Sequence, residues 1–290
     1  MFDDPAPQFA FELSEAGIAV ASGGRPPRIG FQPLAPDVIS VSPVRDNVLR
    51  PEALAAQVQA LAGPAQKKRQ RAVLILPDYS VRVVVLDFDA FPDDREQQLS
   101  LVRFRLRKSL PFDVESAALS YYPQPGGNNG KQRDVVVAVA PTEILARYEA
   151  PFRAAGFHPG LVTTSALCAL ELLRDAGLAV LAKLGGRTLT LAVADRGVLK
   201  LLRTLELAEG SAAEIVTHLY PTFAYIEDHL AARPEKVLVC GPGALAEELR
   251  QEFEGQAAVP VEPLRSRFGA PHPYDAGLLG YLESAEELAA

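Results

Sequence analysis

Three apolar runs follow one another almost without interruption between Leu178 and Leu207: "LAVLAKLGG", "RTLTLAVADRG" and "VLKLLRTLEL". The turns between them, at Gly185–Gly186 and Arg196–Gly197, are too short for anything but antiparallel neighbours, so the spacing predicts a three-stranded meander. A long helix follows from Ser211 towards Ala232, with Glu214 three residues after Ser211 as a capping box. Next come a buried strand, "KVLVCG", and a "GPG" turn that leads into the helix "ALAEELRQEF". The start of the chain has the same grammar. "FAFELSEAGIAVAS" reads as two strands around a turn at Glu15–Gly17, and Gly23–Pro43 as loop with room for one strand. Pro51 then opens a helix with Leu54, Val58 and Leu61 on one face, ended by Gly63–Pro64, and "RAVLILP" is a buried strand. Both halves are hairpin-led and pass through helix to strand, which is a duplicated α/β layout. A last helix is expected at "DAGLLGYLESAEEL".

Between Val81 and Thr164 the pattern changes. "VRVVVLDF" is a strand, and Asp93 with Glu96 resembles a capping box opening a helix. "AALSYY" and "DVVVAVA" are strands around the flexible "GGNNG" loop. Thr142 can cap a helix that Pro151 should kink or divide, and "PGLVTT" is a further strand. The order β-α-β-β-α-β is that of a ferredoxin-like unit. Within it, "LVRFRLRKSLPF" (Leu101–Phe112) alternates apolar and basic as a strand would. Leu99, Val102, Leu106 and Leu110 nevertheless share a helical face, "DDREQQ" supplies a helix start, and Pro111 supplies a stop. The helix is the better reading; its arginines then splay over exposed flanks.

Much chemistry is excluded or unsupported. The net charge of −7 argues against broad nucleic-acid binding, and an RNA-binding reading of the ferredoxin-like unit lacks the aromatic RNP signature. Cys168 and Cys240 lie in apolar runs and read as reduced core thiols. The four histidines show no metal-ligand spacing; His218 and His229 lie on one helix but too far apart to share an ion. There is no P-loop, and "TTSAL" is no GxSxG elbow. The start "MFDDPAPQF" has neither the basic end nor the apolar core of a secretory signal, and no apolar run approaches the roughly 20 residues of a spanning helix. A soluble, cytoplasmic protein is expected.

In order, "VRFRLRKSLPFDVESAALSYY", "VVVAVAPTEILARYEAPFRAAGFHPGLVTTSALCAL", "KVLVCGPGALAEELRQEF" and "YDAGLLGYL" resemble the PilM family of type IV pilus assembly, relatives of GspL in type II secretion. The resemblance implies an actin-like (ribonuclease H-like) two-lobed α/β fold, with the ferredoxin-like βαββαβ subdomain, about 81–164, inserted in lobe I. Lobe I would span 1–164 and lobe II 165–290, the last helix returning to lobe I.

In actin-like ATPases two Asp-x-Gly hairpin turns embrace the phosphates of Mg-ATP. Here Glu12 and Ser14 replace aspartate and glycine in the first turn. In the second, Lys183 stands where the carboxylate belongs, while Gly185, Gly186 and Thr188 survive. The adenosine-side loop retains Gly241 and Gly243 around Pro242, which has no N–H to give. These eight residues would form a vestigial nucleotide site that binds no cofactor, or ATP only weakly, since without the metal carboxylate phosphoryl transfer loses its charge organiser. The implied role is a non-catalytic scaffold at the cytoplasmic face of the inner membrane. Its partner would be the cytoplasmic tail of a PilN-type bitopic protein, with Arg103, Arg107, Leu110 and Phe112 as candidate contacts. The alternative is a working actin-like ATPase or small-molecule kinase with atypical phosphate loops.

Overall fold

In chain order, the strands and helices of the computed structural model are β1 (Phe9–Leu13), β2 (Gly17–Ser22), β3 (Arg28–Pro33), α1 (Pro51–Ala62), β4 (Gln70–Leu76), β5 (Arg82–Phe88), α2 (Arg95–Leu106), β6 (Ala117–Pro123), β7 (Arg133–Pro141), α3 (Thr142–Ala154), β8 (Phe157–Thr164), α4 (Ser165–Ala169), β9 (Leu178–Gly185), β10 (Thr188–Asp195), β11 (Val198–Glu206), α5 (Ala212–Leu230), β12 (Lys236–Cys240), α6 (Ala246–Gln256), β13 (Val261–Pro263) and α7 (Ala276–Glu287). The structure describes residues 9–24, 26–62, 69–125, 133–173, 177–256 and 259–287. The "GGNNG" loop, the Gly63–Pro64 helix end and Met1–Gln8 lie outside the described residues.

Two sheets repeat one topology. The first has order β3-β2-β1-β4-β8 and the second β11-β10-β9-β12-β13. In each, the leading strand pairs antiparallel with its hairpin partner and parallel with the strand that returns after a helix. The interior strands β4 and β9 are buried over almost their whole length, as strands covered on both faces must be, and their sequences are mostly Ala, Val, Leu and Ile. The three-residue β13 has no counterpart in the sequence reading. It is too short, and too rich in Glu262 and Pro263, to stand out as a strand.

The contacts divide the chain into two units: 1–80 with 143–172 and 264–290, and 81–142 with 173–263. The expected boundary at residue 164 and the full βαββαβ insertion give way accordingly. Only β5, α2, β6 and β7 form the insertion, as a three-stranded sheet of order β5-β7-β6, in which β5 and β7 pair antiparallel. The last helix and strand leave it because their apolar residues find better burial in the first unit. Phe152 and Tyr148 of α3 are fully buried there. The strand β8 pairs parallel with β4 from Gln70↔Phe157 to Leu76↔Thr164. The rings of Phe9, Phe11, Phe152 and Phe157 cluster with centroids 4.9–6.3 Å apart. Nor does Pro151 divide α3. The helix runs from Thr142 to Ala154 through Pro151, which forgoes only its own N–H bond to the preceding turn.

Within the second unit, the insertion is fastened to the second sheet. The side-chain amide of Gln124 bonds both backbone groups of Leu199 on β11, donating to its carbonyl at 2.7 Å and accepting from its N–H at 2.8 Å. Lys200 pairs with Asp134 at 3.1 Å. A glutamine amide has the same donor–acceptor pattern as a peptide unit, so Gln124 completes the edge of β11 as a strand would.

The quoted basic run is helical. The N-cap is Asp94, one residue later than the Asp93 expected, and it accepts from the Gln97 N–H at 2.9 Å. Val102 and Leu106 are fully buried against Phe88, Val114, Ala117, Val135, Val137 and Val139, while Leu99 is half-buried. The helix ends at Leu106, so Leu110 follows it rather than lying on it.

In the first unit, α4 and α7 touch through backbone. A Cβ placed on Gly280 would lie 2.1 Å from the Cys168 carbonyl oxygen, and one on Gly277 would lie 2.7 Å from the Ser165 Cα. Hydrogen is the side chain that fits. Gly280→Ala is expected to destabilise by about 1–3 kcal/mol as an overpacking change, despite the gain of about 1 kcal/mol alanine brings to an unhindered helix. Urea unfolding measures the sign, and a variant as stable as the parent would refute the close contact.

Candidate functional site

The first hairpin turn closes on itself. Ser14 donates its N–H to the Gly17 carbonyl at 2.9 Å and its hydroxyl to the same carbonyl at 3.0 Å. The hydroxyl in turn accepts the Gly17 N–H at 3.1 Å. Every polar hydrogen of Ser14 is thus directed into the turn. Glu12, at the end of β1, is 1% exposed. One carboxyl oxygen accepts from the Ser165 hydroxyl at the start of α4. The other accepts the Leu278 N–H in the first turn of α7 at 2.6 Å, where the helix dipole favours an acid. Asp78, which follows β4, does the same for α4 by accepting the Ala166 N–H at 2.6 Å. Two buried acids therefore hold two helix N-termini against the first sheet. Cys168 on α4 has its thiol pushed up to about 12 by burial, which keeps it an unreactive thiol at neutral pH.

In the second unit the β9–β10 hairpin carries Lys183, Gly185, Gly186 and Thr188. Gly186 has φ 60°, the left-handed conformation that a two-residue turn needs. Lys183 is 5% exposed and pairs in register with Cys240 at the end of β12. The parallel pairing brings the ends of β9 and β12 together, so Gly241 (φ 75°) and Gly243 (φ 53°) follow at the same end of the sheet as Lys183. Arg187, between Gly186 and Thr188, is turned back onto the Leu207 carbonyl at 2.9 and 3.1 Å and the Ala208 carbonyl at 3.2 Å.

The four candidate partner contacts divide into two kinds. Arg103 and Arg107 converge on one carboxylate, Glu115, at 3.4 and 3.2 Å. Leu110 and Phe112 pack half-buried against the insertion core. Sequence reasoning brought these residues together but did not foresee Glu115, whose role depends on a turn after Pro111. It also missed Asp78 and Ser165. The only signal was a lone acid after a buried strand, and a serine beside Thr164 that was weighed only as a nucleophile.

No protein-family model matches the chain, and no curated protein does. Solved structures do. The PilM-PilN type IV pilus biogenesis complex aligns with a TM-score of 0.73 at 19% identity, over 97% of this chain and 99% of that one. A Bacteroides thetaiotaomicron protein of actin-like ATPase fold and unknown function aligns with a TM-score of 0.55 at 11% identity, covering 94% and 96%. The fold is actin-like. The cytoplasmic domain of EpsL, an inner-membrane component of the Vibrio cholerae type II secretion system, aligns with a TM-score of 0.52 at 16% identity over 97% and 94%. The actin-like class read from the sequence therefore stands, while its insertion is shorter than expected. Among the described residues, no helix is long and apolar enough to cross a membrane, and no three His, Cys, Asp or Glu side chains are grouped to hold a metal ion.

Proposed function

We propose that this chain is a non-catalytic assembly scaffold of type IV pilus or related type II secretion machinery. In this reading it docks the cytoplasmic tail of a PilN-type bitopic protein and reaches the inner membrane through that partner. The observation that carries the reading is the match to the PilM-PilN complex over nearly the whole of both chains, at a TM-score of 0.73 against 0.55 and 0.52 for the other two structures named above. The state of the first turn supports it. Magnesium-dependent phosphoryl transfer needs an acid free to order metal-bound water and backbone N–H groups free to approach phosphate. Glu12 and Ser14 instead direct their polar atoms into the fold. The eight residues of the two turns and the adenosine-side loop are a structural remnant in this account. Lys183 beside Gly185 and Gly186 keeps the ATPase or kinase reading as the second one, because a lysine at a strand end can pair with a phosphate directly.

One experiment addresses both. The purified chain is passed over the immobilised tail peptide of the PilN-type protein, with and without Mg-ATP, and phosphate release is followed in parallel. Capture is expected regardless of nucleotide, with phosphate release no higher than that of a heat-treated sample. Arg103→Gln with Arg107→Gln is expected to weaken capture, and added salt to weaken it for the parent. Glutamine is chosen over glutamate because Glu115 lies within 3.4 Å of both guanidinium groups. Steady turnover that disappears in Glu12→Gln, with no capture, would establish the ATPase instead.

A further inference from the structure

Exposed sheet edges are usually guarded by charge, proline, glycine kinks or bulges, because their unpaired backbone groups are a template for another strand. The edges of this protein mostly follow that rule. On the first sheet, β3 contains Gly30 and ends at Pro33, and β8 contains Pro159 and a register irregularity opposite Ala72 and Val73. On the second sheet, β13 is three residues long, and β11 is closed at Leu199 by Gln124. The edge strand β6 of the insertion is guarded only at its end, by Pro123. The six residues before it, AALSYY from Ala117 to Tyr122, carry no charge or glycine, and this stretch is the open part of the edge.

The direction of its backbone follows from its ladder. The Gln124 N–H points to Asp134 of β7 at 2.8 Å. Residues alternate along a strand, so Tyr122 and Ser120 also face β7, and Leu119 and Tyr121 face outward. Their N–H and C=O groups have no partner among the described residues. These four groups lie in two pairs about 7 Å apart, the repeat that an added strand matches. Beside them is a cavity of about 300 Å³ lined by Arg95, Gln98, Leu119, Ser120 and Tyr121. Among these, the Tyr121 hydroxyl donates to the Gln98 side-chain oxygen at 2.9 Å. Arg103 and Arg105 on the same helix, and Arg107 just after it, are each paired to a carboxylate. The Arg95 guanidinium has no partner among the described residues.

We infer that the β6 edge and the adjoining cavity form a docking site for an extended peptide segment of another protein, added as a fourth strand and carrying one acidic side chain towards Arg95. Backbone bonds to Leu119 and Tyr121 supply affinity, and the cavity selects the side chain. A polyacidic segment is disfavoured, because Asp93 and Glu96 flank Arg95 in sequence and are exposed. The site is separate from the Arg103–Arg107 corner, and the inference holds whether or not the chain serves a pilus.

The test uses the full chain and a capped eight-residue peptide of alternating valine and threonine with one central glutamate. Amide hydrogen exchange is read at residues 119–122. In the free protein, Ser120 and Tyr122 are protected and Leu119 and Tyr121 are not; the peptide slows exchange at Leu119 and Tyr121. Replacing the glutamate by lysine, or Arg95→Glu in the protein, weakens binding about two- to fivefold, the range for an exposed ion pair. Two further peptides are N-methylated on alternate residues. The one methylated on the edge facing β6 binds about tenfold or more worse, having lost its backbone donors. Because that change lies in the ligand, misfolding cannot mimic it. Equal binding by both methylated peptides, or no slowing at saturating peptide, overturns the docking site. Equal binding of the lysine peptide overturns the role of Arg95. Protection at Leu119 and Tyr121 that rises with protein concentration alone assigns the edge to a second copy of this chain and overturns the peptide occupant.

Discussion

Glu12→Ala is expected to cost about 2–6 kcal/mol of stability, at about 1–3 kcal/mol for each of the two buried donors it would orphan. Those donors are the Ser165 hydroxyl and the Leu278 N–H. Neither can turn to water, because Ser165 is 1% and Leu278 0% exposed. Glu12→Gln should lose less, since its amide oxygen still accepts one of the two bonds while its NH₂ group faces the other donor. The ordering parent, glutamine, alanine distinguishes a structural acid from one kept for chemistry, which would show little loss in either variant. Urea unfolding followed by circular dichroism gives the three midpoints. An alanine variant within about 0.5 kcal/mol of the parent, the usual range for a surface change, would refute the tie between β1, α4 and α7.

Leu106→Ala is expected to cost about 2–5 kcal/mol, as the truncation of a fully buried leucine. Its neighbours supply the controls. Arg105 is exposed; it reaches the Asp87 carboxylate at 3.2 Å, and its guanidinium lies 5.2 Å from the Phe88 ring centre. An exposed pair of that kind contributes little, so Arg105→Ala should fall within about 0.5 kcal/mol of neutral. Phe104 is 71% exposed, and Phe104→Ala should be comparably mild. A strand would have placed Val102, Phe104 and Leu106 on one face, with Phe104→Ala as damaging as Leu106→Ala. Equal losses at 104 and 106 would therefore contradict the helix.

Which parts of this fold could be read from the sequence depends on how local the decisive interaction is. The hairpins were legible because apolar runs and the turns between them lie within ten residues of each other. The helix at Leu106 was legible because its apolar period and its acidic start outweigh a coincidental alternation. The extent of the insertion was not. Whether Phe157–Thr164 joins β5 and β7 or β4 depends on which sheet best buries Phe152 and Phe157, and no local pattern encodes that choice. The candidate site shows the same division. Substitutions at Glu12, Ser14 and Lys183 are visible in the sequence, but the groups that engage Glu12 lie 153 and 266 positions away. Gly277 and Gly280 read as ordinary helical residues until α4 is placed against them.

The bond from the Leu278 N–H to Glu12 also sets an order of events during synthesis. The first strand leaves the ribosome well before the helix whose N–H meets its acid, since Glu12 and Leu278 lie 266 positions apart. Until then Glu12 lacks that partner, and the apolar faces of Ala10, Ala19 and Ala21 have no Leu278, Leu279 and Leu282 to cover them. The opening hairpin must wait, partly uncovered, while the insertion and the second sheet are translated. Such long-range closure is slow and leaves sheet surface open to association meanwhile. A stop codon just before α7 would therefore do its damage at Glu12 and its hairpin, 266 positions earlier than Leu278.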